Sequence, residues 1–453
     1  MYDMVKYYNQ NKKIWESIMS KVALKPLDTK SRTIISICIF VVVFTILITI
    51  ASIYDFQVSQ ILTKNALKEG DYISNDFFGV VGEAVGTSPI YIVIAVCTSL
   101  LCWFFAKSFD KKAWSIVLAV VFAIAGAVAW WFYIKDIFKY VLEHAAAQIG
   151  AAAGSVVYEF RHDGAVMAIE WLIAFTLDAL TVLVFKNLKK ETLKKLLWWV
   201  IAALVAAVVA NLVIMFVKDP VGRMRFRAIN SSVGQALIQS GQVQGYTPWY
   251  IRNGQPSKDI IETFVSNYPG ASDAFKSFPS GHTCAAGMSY ALIMLPDVVD
   301  FKHKKFGKIA CWVAPIVITM LVAISRIVVG AHYMSDVTFG GTIAFVCFII
   351  AREIFVCKGS HFFSLFPKLA PKKKAAVENG LDVPVDVEPE NATETVSEDF
   401  SEQLVEESVE QAACEASQEK SDELKEEDAL SGEQADQVSR EIAENLRDGS
   451  IIE

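Results

Sequence analysis

Two short stretches hold most of the residues that could do chemistry. One is Phe278-Pro279-Ser280-Gly281-His282-Thr283, and the other is Ser325-Arg326 followed by His332 and Asp336. Each lies at the edge of a long apolar run, and Lys218 and Arg225 stand just beyond another. Together they offer two imidazoles, a carboxylate, three cations and a Pro-Ser-Gly turn. Such a set could hold a phosphate, attack it and protonate what leaves.

His332 and Asp336 are four residues apart, which on a helix places them on one face. The carboxylate can then hydrogen-bond one imidazole nitrogen and leave the other aimed and basic, as an orienter does beside a nucleophile. Taken alone, a His-x3-Asp pair is more often a satisfied structural contact, and a metal pair would lack a third ligand at suitable spacing. Ser280 reads as the N-cap of a helix, at an end that favours an anion. Gly281 lets an oxyanion approach the backbone, and His282 suits general acid work near neutral pH. On its own, Pro-Ser-Gly is merely a turn before a helix. Arg225 and Arg326 bring guanidinium forks that match two phosphate oxygens, while Lys218 acts as a point charge. Arg223 and Arg227 read as snorkelling side chains at a membrane edge. Glu170 and Asp178 in the fourth apolar run, and Asn211 in the fifth, read as helix-packing contacts.

Taken in order, Lys218 to Arg225, Pro279-Ser280-Gly281-His282, and Ser325-Arg326-x5-His332-x3-Asp336 resemble the three-part signature of the type 2 phosphatidic acid phosphatase superfamily. The first part in that family usually reads KxxxxxxRP, and here Phe226 stands where the proline would be. The resemblance runs from about Ala165 to Val356. It implies a metal-independent enzyme with no cofactor. His332 would attack phosphorus and form a phosphohistidine, Asp336 would orient it, and His282 would protonate the leaving oxygen. Lys218, Arg225, Arg326, Ser280 and the Gly281 N–H would bind the phosphate oxygens, and water would then release phosphate. Phosphoryl transfer needs in-line positioning and charge stabilisation, and three cations can supply the charge that metal ions supply elsewhere.

These groups need a scaffold that carries them at the edge of hydrocarbon. The 453-residue chain is 53% hydrophobic, its mean hydropathy is +0.38, and apolar runs of about 20 residues read as membrane helices. We place eight, at Thr33–Ile53, Pro89–Ala106, Ala113–Ile134, Ala165–Phe185, Leu196–Val217, Thr283–Leu295, Ile309–Ile324 and Val337–Val356. The sixth is short and begins within the Pro-Ser-Gly-His turn. The fold class expected is an all-α integral membrane protein with a six-helix-type phosphatase core toward the C-terminal part and a disordered acidic tail. The lead-in and segments 107–112, 186–195, 302–308 and 368–374 are rich in Lys and Arg and fall on one side of an eight-span chain. The positive-inside rule makes that side the cytoplasm. Both termini would then be cytoplasmic, in a multi-pass plasma-membrane protein, with the chemistry-bearing residues facing out.

The organisation expected is a basic cytoplasmic lead-in at 1–32, N-terminal transmembrane helices and outer loops at 33–164, and the phosphatase core at 165–356. Its extracytoplasmic loop, 218–280, would cap the site. The cytoplasmic tail, 357–453, carries 25 acidic and 4 basic residues from Ala375 onward, against 24 and 38 before it. That composition cannot offset its own ordering entropy. Docking a protein partner is a candidate role for the tail, and passive solvation is the plainer one. Seven of the eight cysteines lie in or beside apolar runs, which argues against a disulfide framework. The partners expected are a lipid phosphate substrate and membrane lipid, with no nucleic acid. The activity expected is hydrolysis of a lipid phosphate or pyrophosphate. The same site would serve phosphoryl or head-group transfer to an alcohol. A catalytically idle lipid-binding scaffold is the reading from another class, and both histidines weigh against it.

Overall fold

A computed structural model describes residues 28–369 other than 75, 109–111, 150–159, 161, 269–270 and 302–303. The basic lead-in through residue 27 and the acidic stretch from Ala375 lie outside the described residues. Among the described residues the regular elements are helices, with no strand. The chain runs through α1 (Thr29–Thr63), α2 (Phe77–Val85), α3 (Ser88–Ser108), α4 (Lys112–Ile149), α5 (Gly164–Phe185) and α6 (Lys190–Val221). Three short helices follow, α7 (Phe226–Asn230), α8 (Ser232–Gln239) and α9 (Lys258–Asn267). Then come α10 (Gly281–Gly287), α11 (Leu295–Val298), α12 (Lys304–Val328), α13 (Met334–Ala351) and α14 (Ser360–Leu365). Seven helical stretches are long and apolar enough to cross a membrane: α1, α2 with α3, α4, α5, α6, α12 and α13.

The short sixth run of the sequence is not one of these seven, because its helix is broken into short pieces. α10 and α11 are joined by a 3-10 stretch, Met288–Met294, which rises faster per residue than an α-helix. At ~1.5 Å per α residue and ~2.0 Å per 3-10 residue, Gly281 to Val298 reaches about 30 Å, the depth of the hydrocarbon. The segment also starts and ends beside α13. Ser280 N donates to Asp336 O at 3.0 Å near one end, and Arg352 Nε donates to Asp297 Oδ2 at 2.7 Å at the other.

Alanine builds the centre of the bundle. Ala202, Ala203, Ala206, Ala207 and Ala210 of α6 are buried against Cys97 and Leu100 of α3, Met288 and Ile293, and Ala344 and Phe348 of α13. Small side chains let helices approach closely where no hydrophobic effect drives them together. Trp199 Nε1 donates to Ala291 O at 2.9 Å and ties α6 to the 3-10 stretch. The outer faces are apolar and exposed, for example Ile39, Val42 and Ile46 of α1 and Val313, Ile316 and Met320 of α12.

The loop expected as a cap is a folded unit with its own core. Met224, Leu237, Phe264, Ala271 and Phe275 close around Tyr72, which comes from the α1–α2 connection. Gly70 N donates to Asn230 O and Gly70 O accepts from Ser232 N, both at 3.1 Å. Gly222 starts the loop in the left-handed region, φ +57°, and caps α6 by donating to Lys218 O. A Cβ there would meet Gly254 O at 1.7 Å, so the turn needs glycine twice over.

Candidate active site

The three motifs are joined through their backbones before any side chain is considered. Past Gly222 the chain is extended, so alternate residues point opposite ways. Met224 enters the cap core, while Arg223 and Arg225 turn toward the bundle. Arg225 N donates to Ala274 O and Ser277 N to Arg223 O, pairing the first motif with the approach to the second. Arg227 N donates to Gly330 O, and His332 N to Arg326 O, which brings in the third. Phe226 is the first residue of α7, a position whose N–H has no partner within the helix. That is why a family proline and this phenylalanine suit the same backbone.

His332 is 1% exposed and held from behind. Its Nδ1 lies 2.6 Å from Ser277 O. A carbonyl only accepts, so Nδ1 carries the proton and Nε2 keeps the lone pair. The direct hydrogen bond expected from Asp336 is not the one that forms. Asp336 Oδ2 is 3.7 Å from Nδ1 because it accepts from Ser277 Oγ and from Tyr333 N at 2.8 Å, closing a capping box at the start of α13. Asp336 therefore supports the imidazole through Ser277, whose hydroxyl it holds and whose carbonyl orients the ring. Burial, and then the charges of Arg225, Arg326 and Lys218, push the His332 imidazole well below its ordinary range, so it is neutral.

Arg223 and Arg227 are not the snorkelling side chains that their place in the sequence suggested. Arg223 is 0% exposed. Its Nη2 meets Asp55 Oδ2 at 2.8 Å, its Nη1 meets Asp336 Oδ1 at 2.6 Å, and its Nε donates to Thr247 O at 2.8 Å. Tyr333 lies 4.1 Å beneath the guanidinium. Arg227 is buried beneath Tyr72.

Of the cations expected to hold phosphate, Arg225 pairs with Asp273 at 2.7 Å and Arg326 with Glu83 at 2.7 Å. Burial acts to raise the Asp273 carboxyl, but Arg225 and Arg227 outweigh it and hold it at about 2. Lys218 reaches across to the Pro-Ser-Gly turn, where a Cβ added at Gly281 would come 3.2 Å from its Nζ. Ser280 is the N-cap anticipated, accepting from Thr283 N at 3.3 Å, and its hydroxyl also meets Thr283 Oγ1 at 3.0 Å. His282 is half-buried, edge-on to the Tyr140 ring at 5.7 Å.

Among the described residues, six buried nitrogens of this cluster have no hydrogen-bond partner: His332 Nε2, His282 Nε2, Arg225 Nε, Arg227 Nε, Arg326 Nε and Arg326 Nη1. Buried polar atoms are rarely left so. Here the charges of Arg225 and Arg326 bear on both His332 and His282. Residues 199–358 match the family model described as PAP2 superfamily. That match covers about a third of the chain. Searches of curated proteins and of solved structures return no match.

The matched residues do not make up the whole of this cluster. Asp55 from α1, Glu83 from α2 and Tyr140 from α4 precede the matched residues, and the boundary expected at 165 likewise leaves them out. Sequence reasoning missed Asp55, Glu83, Asp273 and Ser277. The signal for Asp55 and Glu83 was an ionisable residue at an apolar run's edge. Glu170 is buried and Asn211 bonds its own helix through Ala207 O at 2.8 Å. Asp178 of α5 and Thr98 of α3 both lie against Gly126 of α4. Glu353, Cys357 and His361, past α13, have ligand atoms within 4.8 Å of one another. Both carboxylate oxygens of Glu353 are taken, by His361 Nδ1 and by the His361 and Phe362 N–H groups.

Proposed function

We propose that the protein is a membrane lipid-phosphate phosphatase that works through a phosphohistidine. The observation that carries this is the set of unpartnered nitrogens: one imidazole with a fixed lone pair, a second imidazole, and guanidinium N–H groups around them. His332 Nε2 attacks phosphorus, and the bond from phosphorus to the lipid oxygen breaks. His282 donates a proton to that oxygen, and the lipid alcohol leaves. His282 then takes a proton from water, whose oxygen attacks phosphorus and expels His332. Lys218, Arg225 and Arg326 offset the charge on the equatorial oxygens, a role worth several kcal/mol in a dry site. A lipid substrate suits a site at the end of a helix bundle with apolar outer faces.

The arrangement of helix ends supports one orientation. The cap, the α1–α2 connection and the three motifs share one end, while Lys107 Nζ donates to Lys186 O and Leu188 O at the other. The Lys-rich segments make the second end cytoplasmic, so the site opens on the outer face of the plasma membrane.

Purified protein in detergent with EDTA is expected to release phosphate from members of a lipid panel. His332→Ala should lose turnover by at least about 10³-fold without loss of folded protein. Undiminished release by His332→Ala would end this reading. For orientation, a cysteine placed in the cap should label from outside intact cells, and one in 186–195 should not; the reverse pattern would invert the topology.

A further inference from the structure

Glu83 reaches the phosphate cup from outside the matched domain, and the packing that brings it there is specific. Gly79, Gly82 and Gly86 line the face of α2–α3 that lies on α12. A Cβ at Gly79 would meet Val329 Cγ1 at 2.2 Å, one at Gly82 would meet Ser325 Oγ at 2.1 Å, and one at Gly86 would meet Val322 Cγ1 at 3.0 Å. Three glycines at this spacing let the two helices touch along their backbones. The next residue along that contact is Glu83. Its Oε1 lies 2.7 Å from Arg326 Nη2 and 3.8 Å from Arg227 Nη1.

Consider the charges that surround the unpartnered nitrogens. Lys218, Arg225, Arg227 and Arg326 are positive, and Asp273 and Glu83 are negative, paired with three of those cations. The net is two positive charges. Lys276 and Asp219 stand nearby but pair with each other at 3.0 Å and cancel. Behind His332, the Asp55–Arg223–Asp336 group adds a negative surplus. With that surplus counted the excess is one positive charge, so a phosphate monoester, with about two negative charges at neutral pH, leaves about one uncompensated. A pyrophosphate monoester carries a further charge and would leave about two in a site shielded from water.

We propose that Glu83 sets the charge of this cup and so favours lipid phosphate monoesters over lipid pyrophosphates. The assignment rests on the phosphatase reading for its substrates but not for its anion site. Glu83 also keeps Nη2 of Arg326 occupied, so the Nε and Nη1 side of that guanidinium is the one left for substrate. It is a positioning and specificity-determining residue, acting through Arg326.

The test uses the full chain in detergent and two probes, inorganic phosphate and inorganic pyrophosphate, titrated by calorimetry. The wild-type protein should bind phosphate more tightly than pyrophosphate. Glu83→Gln, which raises the cup by one charge, should shift the ratio of the two dissociation constants toward pyrophosphate by about ten-fold. Glu83→Asp should keep the wild-type order. Lipid monophosphate and pyrophosphate of one chain length should show the same shift in kcat/KM. A purely structural role would weaken both anions alike and leave the ratio unmoved, which overturns the proposal. If Glu83→Gln does not fold, the wild-type order decides: pyrophosphate bound as tightly as phosphate overturns it. Anion binding with the expected ratio but no release from any lipid would instead overturn the phosphatase reading and uphold the charge assignment.

Discussion

Arg223 and Arg225 sit two positions apart on one extended stretch, and both are buried, yet they hold opposite kinds of contact. Every nitrogen of Arg223 is engaged, by Thr247 O, Ser335 Oγ, Asp336 and Asp55. Arg225 has one carboxylate partner, Asp273, whose side chain is 40% exposed, and its Nε has none. The same split separates Asp336, which serves a capping box and a strut, from Glu83, which sits on a cation of the cup. A fully satisfied buried ion cluster specifies a geometry, whereas a partly satisfied one holds capacity for a ligand. The Arg223 side is the frame of this site and the Arg225–Arg326 side is its grip.

Variants on the two sides should fail differently. Removing the frame has the largest expected effect. Arg223→Ala leaves Asp55 and Asp336 buried together without their cation, and breaking such a pair costs about 3–5 kcal/mol. The expected result is loss of the monodisperse folded peak in detergent and of all activity; a folded, active variant would erase the distinction. Arg225→Ala should instead fold with little change in melting temperature and lose about 10²–10³-fold in kcat/KM for phosphate release. Gly222→Ala acts on both sides, because it strains the turn that aims the extended stretch. The left-handed backbone alone costs about 1–2 kcal/mol, and the clash with Gly254 O adds to it, so a lower melting temperature and lower activity should appear together.

Two smaller effects sharpen the contrast. His332 is neutral in the free enzyme and titrates well below 6.5. Because kcat/KM reports the free enzyme, its acidic limb should lie below pH 6.5, with no loss between pH 8 and about 6.5 from this group. The same lowered value opposes stability in acid: the unfolded imidazole binds a proton first, so folding stability falls as pH drops below 6.5. An acidic limb centred above 6.5 would contradict the burial and the three cations around the ring. Asp178→Asn, on α5 against Gly126, should leave kcat/KM within about two-fold, a change of under 0.5 kcal/mol.

Much of the site was legible residue by residue. Ser280 as an N-cap and His332 near Asp336 follow from short-range pattern, while Lys218 beside the Pro-Ser-Gly turn was expected only from the family resemblance. The errors have a common cause. Arg223 was read as snorkelling because a sequence shows only that a cation ends an apolar run, not that Asp55 waits for it at 2.8 Å. Asp336 was expected to bond His332 directly because i, i+4 spacing puts them on one helical face. In fact α13 begins at Met334, so His332 precedes it and turns its Nδ1 to Ser277 O instead. The sixth apolar run looked short because hydropathy counts residues and cannot see that seven of them are wound as a 3-10 helix.

The sequence by itself determined the all-helical membrane class, seven long apolar helices and the order of the three motifs. These are local properties: the length of an apolar run and the spacing within a turn or helix. Only the tertiary structure decided which arginine is frame and which is grip, and that the N-terminal helices complete the site. Arg223 finds Asp55 across 168 positions and Arg326 finds Glu83 across 243. A buried charge takes its role from the partner that helix packing places beside it, and no pattern along the chain records which helices will touch.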